Sequence, residues 1–495
     1  MKKVVIIGAG IAGLTCGIYA RLNGFDTEIY EMHTLPGGEC TGWDRGGYHF
    51  DGCIHWLVGS RDGTNLNGLW RDTGALADSV EIMNHEVYTR YEEDGRAVNL
   101  YADPDRLEKH LIEISPRDKR QIKKFAKALR MLADMDMPIG KPMDMMTAGE
   151  GIRYMAGNMR KIGMMSTYNN MPMADFAATF AEPVIKRAIL SAIPGDYTAI
   201  ALIMAMAGMG VGDNGYPMGG SRAFAKRMEK RYLDLGGQIQ YRARVDRILV
   251  ENGKAAGIRL TNGTEITGEY IISCADGYAT LTRMLDDRFT PDMYRKLFAD
   301  PVKYPTSTCS IVFMGVDADL PDYRSVTVRR REPVDLSGNR TEYAQLLNYH
   351  FEPAAAPAGK TVLACYYEAD YDYWHGLHRD KEQYAAEKKR LAEDAVSLCI
   401  ERYPEAEGKI EVTDVVTPMT YEKYCNAWRG AWMSWGKPDK DVPRYYPGVP
   451  DGLSNFIMAG MWTQPPGGLP GAAMAGRFAA HRLCAWEDKE FKTSE

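Results

Sequence analysis

Nine cysteines are scattered through the chain with no CxxC pair, and no excess of basic charge is present at a net charge of −6. An odd, unclustered set of thiols excludes a disulfide frame and a zinc-finger type of site, and it points to reduced cysteines in a cytoplasmic setting. The slight acidity removes the electrostatic footprint that nucleic-acid binding requires. No apolar run approaches the roughly 18 residues that a membrane-spanning helix needs. The chain opens directly on a buried-strand pattern, so a signal peptide is not expected. No metal-ligand spacing stands out, and neither an internal repeat nor a low-complexity tail interrupts the pattern.

What is present is an ordinary globular balance, 45% hydrophobic and 25% charged over 495 residues, too long for one small core. Lys3 to Ile7 is short, continuously apolar and β-branched, as a central parallel strand buried on both faces would be. Gly8-Ala9-Gly10-Ile11-Ala12-Gly13 follows at once, then a helix over 14–23 stopped by Gly24, then a strand over 26–30 ending at Glu31. From about 101 to 210 helical patterns take over, and twelve of the 28 methionines fall between Met131 and Met173. Strand patterns return over 238–242, 244–251, 256–260, 270–274, 306–316 and 361–368, with a charged amphipathic helix over 380–402. A last buried strand, 455–459, runs through Gly460-Met461-Trp462 and a Gly/Pro-rich loop into a helix over 472–486.

A GxGxxG hexamer alone is weak. Here it follows a strand, opens a helix, and has Glu31 at the end of the next strand, 21 positions after Gly10, which together form a dinucleotide fingerprint. Gly8 permits the tight turn, Gly10 lets the backbone approach a pyrophosphate, and Gly13 lets helix and strand pack closely. The phosphates meet the amides and positive end of the helix, while Glu31 suits the hydroxyls of an unphosphorylated ribose.

Pro36-Gly37-Gly38, Phe50-Asp51-Gly52 and the C-terminal Gly460 strand–loop–helix complete a pattern that resembles the flavin amine oxidase and phytoene desaturase superfamily. Within it the likeness is greater to the branch of phytoene desaturases, carotenoid isomerases and retinol saturases. It covers the first 60 residues, about 60 from Tyr216 to Asp276, and the last 45. The resemblance implies an α/β fold: a doubly wound, Rossmann-like FAD-binding domain with a parallel sheet (1–75, 215–290 and 445–495), interleaved with an α+β substrate domain having a mixed sheet (76–214 and 291–444). It also implies FAD contacts from Gly8, Gly10, Gly13, Glu31 and Gly38, with the Val245 backbone at the adenine. Gly460 and Met461 would reach the ribityl and phosphate region, and Leu469, Pro470, Gly471 and Ala472 would open a helix aimed at the flavin N1 edge. A helix N-terminus also suits the negative charge of a reduced flavin on physical grounds. With no cysteine in the C-terminal loop, the FAD is expected to be non-covalent. Tyr216-Pro217-Met218-Gly219-Gly220 follows no clear strand, so a second dinucleotide site is not expected.

In amine oxidases of this superfamily one member of an aromatic pair stands where this chain has Leu469, a departure that disfavours an amine. The expectation is therefore desaturation, saturation or isomerisation of a carbon–carbon bond in a hydrophobic, polyene- or lipid-like substrate. The alternatives are an amine or amino-acid oxidase, and a binding or chaperone protein that does no redox work. The methionines of 131–173 read either as a deformable apolar pocket or as helical core. If the pocket reading holds, peripheral membrane contact stays open; oligomeric state is not legible. His55 and Trp462 are the candidate catalytic residues, His55 because imidazole titrates near neutrality, Trp462 as a wall beside the flavin. Tyr366, Tyr367 and Glu368 lie on a strand whose alternate residues face a pocket. Tyr424, Trp428, Trp432 and Trp435 have spacings that suggest one packed helix face.

Overall fold

The computed structural model describes residues 1–193, 197–436 and 439–494. Its central sheet has five parallel strands in the order Gln238–Gln240, Asp26–Tyr30, Lys3–Ile7, Tyr270–Ser273 and Phe456–Met458. Because side chains alternate across a strand, Val4 and Ile6 join one core and Val5 and Ile7 another. Helices Ile11–Leu22, Gly220–Asp234 and Gly468–Trp486 cover the first face. A three-stranded antiparallel sheet, Val245–Glu251, Lys254–Leu260 and Glu265–Thr267, covers the second. Helices Ile11–Leu22 and Gly468–Trp486 press together so closely that a Cβ on Gly476 would lie 2.2 Å from the Ala12 carbonyl oxygen.

The second large sheet has seven strands: Ile410–Val416, Cys309–Val316, Thr361–Glu368, Asn339–Asn348, Ser325–Leu336, Val87–Glu93 and Arg96–Tyr101, in that order. All pairs are antiparallel except Ser325–Leu336 with Val87–Glu93, so the sheet is mixed as expected. Its outer face, with Val312, Met314, Leu363 and Cys365, is closed by Leu391, Ala395 and Cys399 of helix Lys381–Arg402. Its inner face carries Ile311, Phe313, Ala364 and Tyr366 toward the core of the parallel sheet. Helices Pro104–Ile114, Lys119–Leu132, Pro183–Leu190 and Ala199–Gly210 pack beyond the edge formed by Tyr91, Val98 and Leu100.

Two local expectations fail. Tyr216 and Pro217 do lie on a strand, Asn214–Pro217, but it pairs antiparallel with Leu57–Val58 and Ile82–Met83, outside the parallel sheet. The aromatic run is not one helix. Helix Pro418–Cys425 ends at Asn426, and Asn426 and Arg429 both hold left-handed backbone at φ 54°, which breaks the helical path. Trp428 and Trp435 turn inward instead, against Phe298 and Trp462.

Candidate active site

The fingerprint folds as its glycines require. Gly8 has φ +95°, and a Cβ on Gly13 would fall 1.9 Å from the Gly8 carbonyl oxygen, a clash no local shift relieves. Gly10 faces open space, with only the Gly37 oxygen at 3.9 Å from a Cβ built there. Gly10 caps helix Ile11–Leu22 with no side-chain hydrogen bond and no acidic residue in its first turn. The positive helix end is thus presented to a ligand. Gly38, at φ +62°, sits across from the Gly10 Cα, and Gly37 donates its amide to the Ala9 carbonyl at 2.8 Å. Glu31 is buried, its carboxylate accepting from the amides of Ala9 and His33, both at 2.7 Å. Val245 lies in the same core as Ile7 and Tyr30. Gly8, Gly10, Gly13, Glu31, Gly38 and Val245 therefore converge on one end of the parallel sheet.

A second helix end arrives from the C-terminus. Gly460, at φ +126°, leads into the short turn Met461–Thr463 beside Ala12. Helix Gly468–Trp486 begins four residues earlier than the sequence pattern suggests, so Leu469, Pro470, Gly471 and Ala472 form its first turn, again without a side-chain cap. The side-chain nitrogen Nε2 of Gln464, just before it, is buried with no partner among the described residues. Two uncapped helix ends, an open glycine cradle and an orphaned donor fit a dinucleotide cofactor with a flavin ring.

Between the two sheets lies a cavity of about 2090 Å³. Gly52, His55 and Trp56 line it from the nucleotide side, and Ile200, Met204 and Tyr366 from the other. His55 Nε2 and the Tyr366 hydroxyl share a 2.7 Å hydrogen bond. Burial, then the nearby Arg324 charge, pushes His55 down to about 3, so its imidazole is neutral at pH 7 and is a poor general acid. Burial likewise pushes the Tyr366 hydroxyl far up. Trp462 does not line the cavity. It is buried behind Trp435, which does, at a ring separation of 4.9 Å.

Two carboxyl groups escaped the sequence reading. Glu39, directly behind the double glycine, faces the cavity, and burial followed by the charge of Asp276 pushes it up to about 8. Asp276 is pushed up to about 6 by burial, although the amides of Ala279 (2.8 Å) and Trp428 (3.1 Å) oppose the shift. Position alone was the available signal for Glu39; nothing in the local sequence marks Asp276 or Arg324. The methionines divide. Met135, Met137 and Met165 line the cavity, Met173 is core, and Met143, Met155 and Met159 point outward.

The model of the family described as flavin containing amine oxidoreductase matches residues 11–484. Carrot prolycopene isomerase is 24% identical over 97% of this chain and 80% of its own length. The neurosporene-forming phytoene desaturase of Rhodobacter capsulatus is 25% identical over 98% of this chain and 94% of its own. Among solved structures, cyclohexylamine oxidase from Brevibacterium oxydans superposes with a TM-score of 0.61 at 15% identity, covering 99% of this chain and 100% of that one.

Proposed function

The chain belongs to the flavin containing amine oxidoreductase family, and from that premise we propose that it is an FAD-dependent enzyme that desaturates, saturates or isomerises a carbon–carbon bond in a hydrophobic, polyene- or lipid-like substrate. The observation that carries this reading is the cavity. Ordinary small-molecule pockets measure about 300–1,000 Å³, and 2090 Å³ leaves room for a long ligand beside a flavin ring. The near full-length likeness to a prolycopene isomerase and a phytoene desaturase supports the same reading.

We assign the nucleotide half to 1–75, 215–290 and 445–495 and the substrate half to 76–214 and 291–444. Gly8, Gly10, Gly13, Glu31, Gly38 and Val245 hold the adenosine and pyrophosphate side, and Gly460 and Met461 the ribityl side. The helix turn Leu469 to Ala472 directs its amides to where negative charge gathers on the ring. When bound, non-covalently, FAD supplies the two-electron chemistry, accepting or giving a hydride. The protein's part is to exclude water and hold the alkene. His55 and Tyr366, both neutral, position the substrate and keep a single proton between Nε2 and the phenol oxygen. Trp462 acts through Trp435, as a brace for the cavity wall.

Helix Ala148–Asn169 supports peripheral membrane contact as part of this reading. It leaves Ile152, Met155 and Met159 exposed by 69%, 61% and 72%, while Tyr154 and Met165 of the same helix line the cavity. No helix among the described residues is long and apolar enough to cross a membrane. An apolar stripe of this kind suits a bilayer surface from which a lipid-like substrate enters.

Leu469, where amine oxidases carry an aromatic residue, tells against the amine reading. Anaerobic mixing of the flavoprotein with polyenes, retinoids and fatty acids should bleach the flavin with one class of alkane or alkene donor. Bleaching by amines alone, with hydrogen peroxide released in air, would overturn the proposal.

A further inference from the structure

Of the 22 residues in helix Ala148–Asn169 only Tyr168 is buried, although helices in water draw most of their stability from a packed apolar face. Ile152, Met155 and Met159, three and four residues apart, stand exposed on one side of it. Lys440 and Arg444 are exposed and line the same cavity as Tyr154 and Met165, which marks an opening beside the helix. The Tyr445 hydroxyl donates to Asp144 at 2.6 Å, so this segment lies against the approach to the helix.

The charges left over around that face are of one sign. Arg153 and Arg160 are exposed, share a side of the helix, and have no ion pair among the described residues. Lys123, Lys124 and Lys127 of helix Lys119–Leu132 are exposed and likewise unpaired. Lys161 reaches Asp134, just beyond that helix, at 2.9 Å and ties the two together. The acids nearby are already held: Glu150 by Lys141 at 3.3 Å, Asp144 by Arg482 at 2.7 Å, and Asp441 by Lys296 at 2.8 Å. Asp136 and Asp439 accept amides, from Asn65 and Asp441, each at 2.9 Å. Residues 119–161 hold ten Lys and Arg against four Asp and Glu, in a chain whose net charge is −6.

An apolar strip flanked by unpaired cations is complementary to a bilayer with acidic headgroups: the apolar side chains enter the acyl boundary and the cations meet phosphate. A second copy of the chain in a two-fold contact would set the same cations against themselves. We infer that helix Ala148–Asn169 seats the protein on a bilayer rich in acidic phospholipid, with Arg153 and Arg160 on the headgroups and the opening at Lys440 and Arg444 turned to the leaflet. This rests on the peripheral-contact reading above and names the lipid that the contact requires.

The test is co-sedimentation of the FAD-loaded protein with vesicles of phosphatidylcholine alone, or with about one-third phosphatidylglycerol. The mixed vesicles should bind at least about tenfold more tightly at roughly 0.1 M salt, a preference that roughly 0.5 M salt removes. Arg153→Gln with Arg160→Gln should weaken binding to the mixed vesicles about tenfold or more, at unchanged melting temperature and flavin content. Arg153→Lys with Arg160→Lys, which keeps the charge, should retain it. Equal binding to both vesicles would overturn the acidic-lipid requirement and leave peripheral contact standing. A preference that the glutamine pair leaves intact would overturn the assignment to this helix. Binding to neither vesicle would overturn both readings, and a dimer that Met155→Ser with Met159→Ser dissociates would then give the face to a second copy.

Discussion

The turn from Gly8 to Glu31 and the methionine-rich segment from Met131 to Met173 answer to different physics. In the first, backbone geometry dictates the residues: Gly8 needs its positive φ, and Gly13 cannot carry a Cβ. In the second, volume and surface are what matter, and a methionine serves equally as cavity lining (Met137), core (Met173) or exposed surface (Met159). A site built from backbone constraints is legible in a sequence, whereas one built from side-chain volume is not.

The sharpest break of that contrast lies within the fingerprint itself. Gly13→Ala should destabilise the fold by at least about 1–3 kcal/mol and lose the flavin, because its Cβ meets backbone. Gly10→Ala should keep the thermal unfolding midpoint within a few degrees and lose flavin affinity alone, since its Cβ enters free space. Circular dichroism melts alongside flavin absorbance separate the two, and equal losses of stability would contradict the assignment.

At the cavity wall, Tyr366→Phe removes the partner of His55 Nε2. It should cost about 1–3 kcal/mol in denaturant titration and slow turnover while leaving the flavin bound. Unchanged turnover would show that the pair does not position substrate.

Glu39 gives a dependence on pH with a definite sign. Its carboxyl is raised from about 4.5 to about 8 in the folded chain, so the folded state binds the extra proton and stability falls as pH rises through that window. Asp276, raised to about 6, adds a fall of the same sign at lower pH. Glu39→Gln should therefore leave the melting temperature unchanged near pH 4 and raise it near pH 8. A variant equally shifted at both would refute the protonated carboxyl.

The smallest stability effect belongs to the exposed helix. Met155→Ser with Met159→Ser should alter stability by no more than about 0.5 kcal/mol, yet abolish co-flotation with phospholipid vesicles. Retained flotation would remove the membrane contact.

How much was readable follows the same division. Strands Lys3–Ile7, Asp26–Tyr30 and Thr361–Glu368 lie where their patterns put them, since a continuous apolar run between turn signals has few alternatives. The end of helix Pro418–Cys425 was not readable, because Asn426 and Arg429 leave the helical region for tertiary reasons that a three-to-four spacing conceals. Tyr366 was noticed as a strand residue, but its pairing with His55, 311 positions away in sequence, is a product of the fold. Arg324 carried no local signal at all; only its burial, with its guanidinium on the His55 carbonyl and no ion pair among the described residues, makes it conspicuous.

The most direct test of the account is an absorption spectrum of the purified protein, before and after heat denaturation. Flavin bands that move wholly into the supernatant, identified there as FAD, are the predicted result: a cofactor held by two uncapped helix ends and a glycine cradle without a covalent link. A protein that is colourless and stays so after incubation with FAD would contradict it, and the redox reading would fall with the cofactor.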